Sequence, residues 1–307
     1  MLAAHRTATA LVALMAAMLP ALVACGNDQG DSAVASAPVA PPTTGAAFNA
    51  ARAWRLIKLQ LGYGQRPAGS PQLRRLAVKL RERMPGGRFE AIPGEPRLRN
   101  IVATVPGELP ALVVGAHYDT LVKPKGFLGA NNGAAGSAIV VELARELAKL
   151  DRPPGSHQVR FVLFDGEEPA TGLPEEQDDF YSTGLRGSRA YVERHGDQVG
   201  AMILLDYVAG KGMTLPREGS STPALWDQIR AAAARVGVGD VFPDLTGRTI
   251  TDDHTPFLRA GIPAVDLIDW SYPGHSLSDR LSALSIESVD ATGETIREAI
   301  ESIAGPG

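Results

Sequence analysis

The sequence Phe161-Val-Leu-Phe-Asp165-Gly166-Glu167-Glu168 joins four apolar residues to three carboxylates. A short apolar run of this kind predicts a strand buried on both faces, as in the centre of a parallel sheet. Such strands present functional groups at their carboxyl ends. Two adjacent glutamates there repel each other unless a cation, a proton or separate environments keep them apart. A metal site is therefore the first hypothesis, and a solvated turn after a core strand is the alternative.

The whole-chain composition sets the broad class of the protein. The chain has 307 residues and a formal net charge of -4. This length suits one large α/β domain with additional segments. The composition is ordinary for a globular protein, and the slightly negative charge gives no indication of nucleic-acid binding. We therefore expect no nucleic-acid partner.

Residues 1–25 have the features of an export signal. A basic start precedes an apolar run from Thr9 to Ala24, which is short for a membrane span of about 20 residues. The run leads into Leu22-Val-Ala-Cys25, which resembles the bacterial lipobox, and Cys25 is the only cysteine of the chain. The resemblance implies a lipoprotein-type signal peptide with a lipid on Cys25. We expect an exported lipoprotein at the outer face of the cytoplasmic membrane or in the periplasm, with secretion as the alternative.

The next segment differs in composition from the rest of the chain. Residues 26–47 are mostly Ser, Ala, Pro, Gly and Thr, with almost no large apolar side chain. Such a segment buries too little surface to offset the entropy lost on ordering. We predict a disordered linker over residues 26–47 and a folded domain over residues 48–307.

Helical and strand patterns alternate along the predicted domain. Apolar residues recur at helical spacing around Ile57 and Leu76, and Ser70-Pro71 is typical of a helix start. Because strands and helices alternate, we predict a single three-layer α/β domain with a mostly parallel central sheet and helices on both faces. The predicted strands are Asn100–Val105, Ala111–Ala116, Phe161–Phe164, Met202–Leu205 and Ala264–Ile268.

Histidines and carboxylates gather at the predicted strand ends and in two later segments. One of these groups alone is as easily explained by structural hydrogen bonds, but their repetition at successive strand ends favours a shared site. Imidazole and carboxylate without cysteine are typical ligands of a catalytic zinc ion. The groups are His117 and Asp119, Glu167 and Glu168, Asp206, Asp252-Asp253-His254, and His275 with Asp279.

Taken together, these segments resemble a known superfamily. Their order and spacing are similar to those of the co-catalytic zinc aminopeptidases and of their relatives, the glutaminyl-peptide cyclotransferases. The resemblance covers roughly residues 60–300. The segments that carry it are His117-Tyr-Asp119, Gly129–Gly136, Asp165-Gly-Glu-Glu168, Asp206, Asp252–Pro263 and His275.

The resemblance implies a set of metal ligands. His117 and Asp206 would bind one zinc ion, and Glu168 and His275 would bind the other. The loop residue at position 132 would bridge the two ions. In the cyclotransferase branch a single zinc ion is held by the loop acid, the second glutamate and the last histidine.

The resemblance also implies catalytic roles. Glu167 would act as general base and acid, and Asp119 would orient the ligand His117. In the cyclotransferase branch, Asp206 and Asp252 would form a supporting hydrogen-bond chain. Two further residues are expected to support the ligands from behind: His254 and Asp279.

Two positions depart from the family pattern. The bridging acid is replaced by Asn132, a neutral amide that binds zinc more weakly than a carboxylate does. The usual Trp-His-Thr around the last ligand is replaced by Gly274-His275-Ser276, so the tryptophan wall of the substrate pocket is missing. We expect one Zn²⁺ ion, with two as the alternative.

These observations favour an enzyme that acts at the N-termini of peptides or proteins. The first expectation is aminopeptidase-type hydrolysis with zinc. The alternatives are cyclisation of N-terminal glutamine and a catalytically impaired zinc-peptidase fold that serves as a binding module. Through the lipid on Cys25, the membrane is the second expected partner.

Overall fold

The computed structural model describes residues 47–173 and 177–306. The predicted signal peptide, Cys25 and the linker up to residue 46 lie outside these ranges, and their assignments stay predictions. Within these ranges the longest helices are too short or too polar to cross a membrane.

A six-stranded sheet forms the centre of the domain. Apolar runs supply its inner strands, and the apolar residues of these runs are buried on one face or the other. The strands are β1 (Arg88–Ile92), β2 (Glu95–Val105), β3 (Glu108–His117), β4 (His157–Phe164), β5 (Val199–Asp206) and β6 (Ala264–Ile268).

The strand order is β1-β2-β4-β3-β5-β6. Strands β4, β3, β5 and β6 are parallel, whereas β1 and β2 are antiparallel additions at one edge. Strand β3 therefore lies between β4 and β5, and the carboxyl ends of these three strands meet at the same edge of the sheet. The order places His117 beside the segments that follow Phe164 and Leu205.

Helices connect the strands, and their ends follow local sequence signals. Helix α2 begins after Ser70, whose hydroxyl accepts a 3.1 Å hydrogen bond from the Leu73 amide, with Pro71 in the first turn. The helices are α1 (Ala50–Leu61), α2 (Pro71–Arg81), α3 (Gly136–Leu147), α4 (Gln177–Thr183), α5 (Arg186–His195), α6 (Pro223–Arg235), α7 (Thr255–Arg259) and α8 (Ile286–Ile303).

Alternate residues of the strands pack on opposite faces of the sheet. Phe161 and Leu163 of β4 belong to a core shared with α1, α2, α3, α6 and α8. Val162 and Phe164 belong to a separate core with α5 and α7. A sheet between two helical layers confirms the predicted three-layer α/β domain with a mostly parallel sheet.

Candidate active site

Three neighbouring strand ends bring the first group of site residues together. His117 is the last residue of β3, Asp206 is the last residue of β5, and Glu167 follows β4. The His117 Nδ1 atom lies 3.6 Å from Glu167 Oε2 and 3.6 Å from Asp119 Oδ1. The His117 Nε2 atom lies 3.4 Å from Asp206 Oδ1. One imidazole is therefore surrounded by three carboxylates that are far apart in sequence.

Asp119 fixes the turn that carries the two glutamates. Its carboxylate accepts hydrogen bonds from the backbone amides of Glu167, at 3.3 Å, and Glu168, at 3.2 Å. The two glutamate side chains point in different directions. Glu167 lies beside the His117 ring, whereas Glu168 accepts a hydrogen bond from Asn132. The side chain of Glu167 keeps 9% exposure to solvent. Glu167 is therefore the glutamate that solvent reaches beside His117.

The loop before α3 closes one side of the site. Gly133 has a φ of 88°, and a Cβ atom there would clash with the Asp119 carbonyl oxygen and crowd the His117 ring. Glycine therefore permits both the left-handed backbone and the close approach. The Asp279 carboxylate accepts hydrogen bonds from the Asn131 amide, at 2.8 Å, and from the Asn132 amide, at 3.1 Å. Asp279 thus holds this loop, and its expected support of a metal ligand stays a prediction.

Asn132 contacts Glu168 directly. Its Nδ2 atom donates a 2.7 Å hydrogen bond to Glu168 Oε1, and both side chains are 2% exposed. The other carboxylate oxygen, Oε2, is buried and has no hydrogen-bond partner among the described residues. The amide therefore pairs with the glutamate at the position where the family resemblance implies a second carboxylate.

Burial and like charges shift the pKa values of the site. Burial raises the pKa of Glu167 well above its ordinary value, and the charge of Glu168 raises it further. Burial raises the pKa of Glu168 to about 8, although His117 and the Asn132 hydrogen bond lower it. Burial lowers the pKa of His117, but the surrounding carboxylates outweigh this effect and raise it well above its ordinary value. The strand ends thus form a strongly coupled proton-binding cluster.

Asp252 and His254 interact with different groups of residues. Burial raises the pKa of Asp252 to about 7, with a further contribution from Asp206. His254 is fully buried, and its Nε2 atom lies 3.2 Å from Glu218 Oε2 and 3.0 Å from the Ser220 hydroxyl. Asp252 is thus electrostatically coupled to the site, whereas His254 belongs to a buried polar cluster behind it.

Glu218 is the centre of that buried cluster, and the sequence analysis missed it. Its carboxylate accepts hydrogen bonds from the backbone amides of Ser220 and Ile250 and from the hydroxyls of Ser220 and Ser221. Burial acts to raise the pKa of Glu218, but the contact with His254 and these hydrogen bonds lower it to about 2. Glu218 is therefore an ionised buried carboxylate that fixes His254.

His275 lies at the edge of the site beside two tyrosines. Its ring centroid is 6.0 Å from that of Tyr207, and Tyr207 stacks on Tyr272 at 5.5 Å. Burial lowers the pKa of His275, while Asp206 raises it and His117 lowers it further. In the described parts of the chain His275 makes no ion pair with a carboxylate. The structure therefore brings His275 near Asp206 and His117 but does not join it to Glu168.

Tyr207 and Tyr272 are further residues of the site that sequence reasoning missed. Both Tyr207 and His275 have left-handed backbone conformations, with φ values of 48° and 58°. Strained backbone of this kind in non-glycine residues often occurs at functional sites. The only sequence signal for Tyr207 was its place directly after Asp206.

His117 and Asp206 are suitable zinc ligands, whereas Asn132 is not. Zinc ligands about 2.0 to 2.2 Å from the ion in tetrahedral geometry lie roughly 3.4 Å apart. His117 Nε2 and Asp206 Oδ1 are 3.4 Å apart, and both His117 ring nitrogens are buried without a hydrogen-bond partner in the described chain. Asn132 supplies no negative charge, and no set of three His, Cys, Asp or Glu side chains in the described ranges has the geometry of a metal site. The donor chemistry therefore fits zinc at His117 and Asp206, but a family-like bridging ligand is missing at position 132.

The fold and this site define an α/β protein whose reactive groups lie at the carboxyl edge of a mostly parallel sheet. Residues 100–300 match the model of peptidase family M28. The chain therefore belongs to peptidase family M28, and the resemblance inferred from the strand-end motifs is confirmed.

Two cyclotransferases show sequence similarity to the chain. It is 29% identical over 229 residues to the glutaminyl-peptide cyclotransferase of Bos taurus, which covers 62% of each protein. It is 26% identical over 231 residues to that of Drosophila melanogaster, covering 67% of this chain and 65% of that protein. The matched part thus spans less than two thirds of either relative.

Two solved structures share the fold over nearly their whole length. The glutaminyl cyclase of Porphyromonas gingivalis superposes with a TM-score of 0.73 and 26% identity, over 84% of this chain and all of that one. A leucine aminopeptidase precursor from Bacteroides thetaiotaomicron superposes with a TM-score of 0.72 and 25% identity, over 82% and 97% of the two chains. The fold is thus similar to proteins named for both activities.

Proposed function

We propose that the protein is a glutaminyl-peptide cyclotransferase, which converts an N-terminal glutamine into pyroglutamate and releases ammonia. The observation that carries the proposal is the hydrogen bond between Asn132 and Glu168. Hydrolysis in the co-catalytic enzymes relies on two metal ions joined by a carboxylate at position 132, because the ions acidify the attacking water. Cyclisation uses the substrate's own amine as nucleophile and needs no activated water. Asn132 replaces a zinc ligand of both branches, but only hydrolysis also loses the bridge between two ions, so the replacement impairs hydrolysis more than cyclisation.

The names of the matched relatives also support cyclotransferase activity. Both relatives described above are named as cyclotransferases, and one of the two similar structures is a glutaminyl cyclase. Cyclisation, the alternative expectation from the sequence, thus becomes the first proposal.

Glu167 has the position required of the proton carrier. In cyclisation the α-nitrogen attacks the side-chain amide carbon (Cδ) of glutamine, the new carbon–nitrogen bond forms, and the bond from Cδ to the amide nitrogen breaks. The proton lost by the α-nitrogen must reach the departing ammonia. The Glu167 carboxylate reaches solvent beside His117, and its backbone is held by Asp119, so one carboxylate can accept that proton and return it. The raised pKa of Glu167 makes its carboxylate a stronger base for the first transfer.

The negative charges of neighbouring acids favour the protonated form of Glu167. Asp252 and Asp206 interact with each other, and the charge of Asp252 also raises the pKa of Glu167. We assign to Asp252 the role of stabilising the protonated form of Glu167 between the two transfers. Zinc, when bound by His117 and Asp206, would polarise the γ-carbonyl group of the substrate.

We assign the wall of the glutamine pocket to the two stacked tyrosines. The family tryptophan is absent next to His275, and Gly274 stands there instead. A Cβ atom at Gly274 would clash with the hydroxyl and ring of Tyr207. The Tyr207 ring, stacked on Tyr272, therefore fills space that a side chain at position 274 would otherwise occupy. Such an aromatic surface can pack against the aliphatic part of the glutamine side chain.

A second candidate function is aminopeptidase-type hydrolysis, which was the first expectation from the sequence. The similarity to the leucine aminopeptidase precursor favours it. Either reaction takes peptide or protein N-termini as substrate. A non-catalytic binding module is the third candidate.

The proposed proton transfer is tested by the substitution Glu167→Gln. General acid and base catalysis contributes roughly 10²- to 10⁴-fold to rate, so kcat for ammonia release should fall by at least about 10²-fold. The zinc content of the purified protein should remain unchanged, because Glu167 is not among the proposed ligands. Glu193→Gln on the exposed face of α5 is the matched control and should keep full activity. Retention of ammonia release by Glu167→Gln would show that the proton carrier is another group.

A further inference from the structure

Positive charge is concentrated in the first helical pair. Residues 50–84, which form α1, α2 and their connection, contain nine Lys and Arg against one acidic residue, Glu82. This segment therefore has a formal net charge of +8 in a chain whose net charge is -4. Such an asymmetry creates a local positive potential that attracts anions.

Four arginines from this region and from α3 line one cavity. The cavity has a volume of about 350 Å³ and lies beside α1, with no residue of the candidate active site in its lining. Glu142 is its only acidic lining residue. Leu56, Leu59 and Val141 form its apolar part. The arginines are Arg52, Arg55, Arg83 and Arg145.

Only one of these guanidinium groups is fully engaged by carboxylates. Arg52 donates to Glu142 at 2.8 Å and also binds Glu146. The Arg145 Nε atom lies 3.8 Å from a Glu142 oxygen and forms no hydrogen bond within the described chain. Arg52 and Arg145 therefore share Glu142, and only Arg52 has a second acid.

The other two arginines have still fewer partners. Arg83 donates only to the Lys79 carbonyl oxygen, at 2.8 Å, and the Arg55 side chain has neither a hydrogen bond nor an ion pair among the described residues. Three guanidinium groups thus reach one cavity with unused donors. An anion that entered would relieve their mutual repulsion and accept their hydrogen bonds.

The lining indicates the chemical class of the anion. The planar fork of arginine matches phosphate oxygens in pairs, which favours a phosphate group over a simple halide. The apolar residues suit an aliphatic body attached to that phosphate. Arg52 and Arg55 lie in the first two turns of α1, directly after the segment that the sequence predicts to be a tether to the membrane. A membrane phospholipid combines the phosphate, the aliphatic body and this location.

We propose that the arginine cavity binds the phosphate headgroup of an anionic membrane lipid, so that α1 docks on the bilayer. Docking at this surface is separate from the lipid on Cys25 and from the proposed catalysis. It would hold the domain in a fixed orientation rather than leave it free at the end of a tether.

The test measures vesicle binding by the full chain with Cys25→Ser, which removes the predicted lipid. Sedimentation with vesicles of phosphatidylglycerol and phosphatidylcholine is compared with sedimentation with phosphatidylcholine alone, so that any insertion of the apolar N-terminal run cancels in the ratio. The variant carries Arg55→Gln and Arg83→Gln. The matched control carries Arg74→Gln and Arg75→Gln, two exposed arginines of α2 outside the cavity.

We expect binding to the anionic vesicles that falls by roughly 25-fold in the cavity variant, from about 5-fold for each arginine near an anionic surface. The control should lose much less, and glycerol phosphate should compete with the vesicles. Equal losses in both variants would mean a diffuse charge effect and would overturn the cavity site. Absence of preference for anionic vesicles, or direct binding of inorganic phosphate by a protein that does not bind vesicles, would overturn the lipid assignment. An unchanged midpoint of urea unfolding shows that the cavity variant is folded.

Discussion

The contact between Asn132 and Glu168 makes the substitution Asn132→Asp unusually informative. The amide nitrogen donates to Glu168 Oε1 over 2.7 Å in a buried site. In the variant a carboxylate oxygen takes the place of this donor. Two negative charges separated by about 3 to 4 Å at an effective dielectric constant of about 20 repel by roughly 4 to 6 kcal/mol. The free energy of unfolding of the metal-free variant should fall by an amount of this order.

The loss should depend on pH in a defined direction. A proton shared between the two carboxyls relieves the repulsion, so the variant is least affected at low pH. The pKa of Glu168 is already raised to about 8 in the natural sequence, and the new carboxylate raises it further. A raised carboxyl pKa in the folded state means that stability falls as pH rises towards that pKa. The stability deficit should therefore be larger at pH 9 than at pH 6.

Urea unfolding in EDTA and in zinc measures both effects. A zinc ion at a hundredfold excess over its Kd raises the free energy of unfolding by about 2.7 kcal/mol. Because the variant should bind more zinc, its free energy of unfolding should rise by about this much more than that of the natural sequence. Metal analysis should show more bound zinc in the variant. Asn131→Asp adds the same charge to the same loop without facing Glu168, and it should show no additional zinc. Equal stability of the variant and the natural sequence in EDTA at pH 9 would refute the contact.

Three further substitutions test the supporting structure by urea unfolding. Glu218→Gln should lower the free energy of unfolding at pH 7 by up to about 3 kcal/mol, because the pKa of Glu218 is lowered to about 2 beside His254. A carboxyl group whose pKa is lowered on folding adds stability at pH values above its unfolded pKa and loses it as the pH falls. At pH 3.5 the difference in unfolding free energy between the natural sequence and the variant should therefore be about 1.4 kcal/mol smaller than at pH 7. A difference that does not change with pH would count against an ionised Glu218. Ser70→Ala removes the cap of α2 and should lower the free energy of unfolding by about 1 kcal/mol, whereas no change would mean that the cap contributes nothing. Gly274→Ala forces a methyl group against Tyr207 and should destabilise by about 1 to 3 kcal/mol, and an unchanged midpoint would show that the ring moves freely.

The buried strands were predictable because their apolar runs have no other explanation. The run Phe161–Phe164 indicated a strand buried on both faces, and β4 has residues in both cores. Strand β1 was not predicted because it has only five residues, lies at the sheet edge and buries only Glu90 and Ile92. The antiparallel direction of β2 was not predictable either, since the pattern of Asn100–Val105 is the same in both directions.

The site was predictable in composition but not in its pairings. The strand-end rule brought His117, Glu167 and Asp206 to one edge, as the structure shows. The partner of Glu168 depended on where the glycine loop lies, and the structure gives it the Asn132 amide rather than His275. Glu218 carried no signal because its contact with His254 joins two loops through tertiary packing alone.

The central claim is that the chain cyclises N-terminal glutamine, and one measurement tests it most directly. Peptides that begin with glutamine or leucine are incubated with the purified chain, and ammonia release and product mass are followed together. The proposal predicts ammonia release from the glutamine peptide in equal amount to a product that keeps all its peptide bonds and has a blocked N-terminus, with no cleavage of the leucine peptide. Release of free glutamine or leucine with a shortened peptide, and without ammonia, would contradict it.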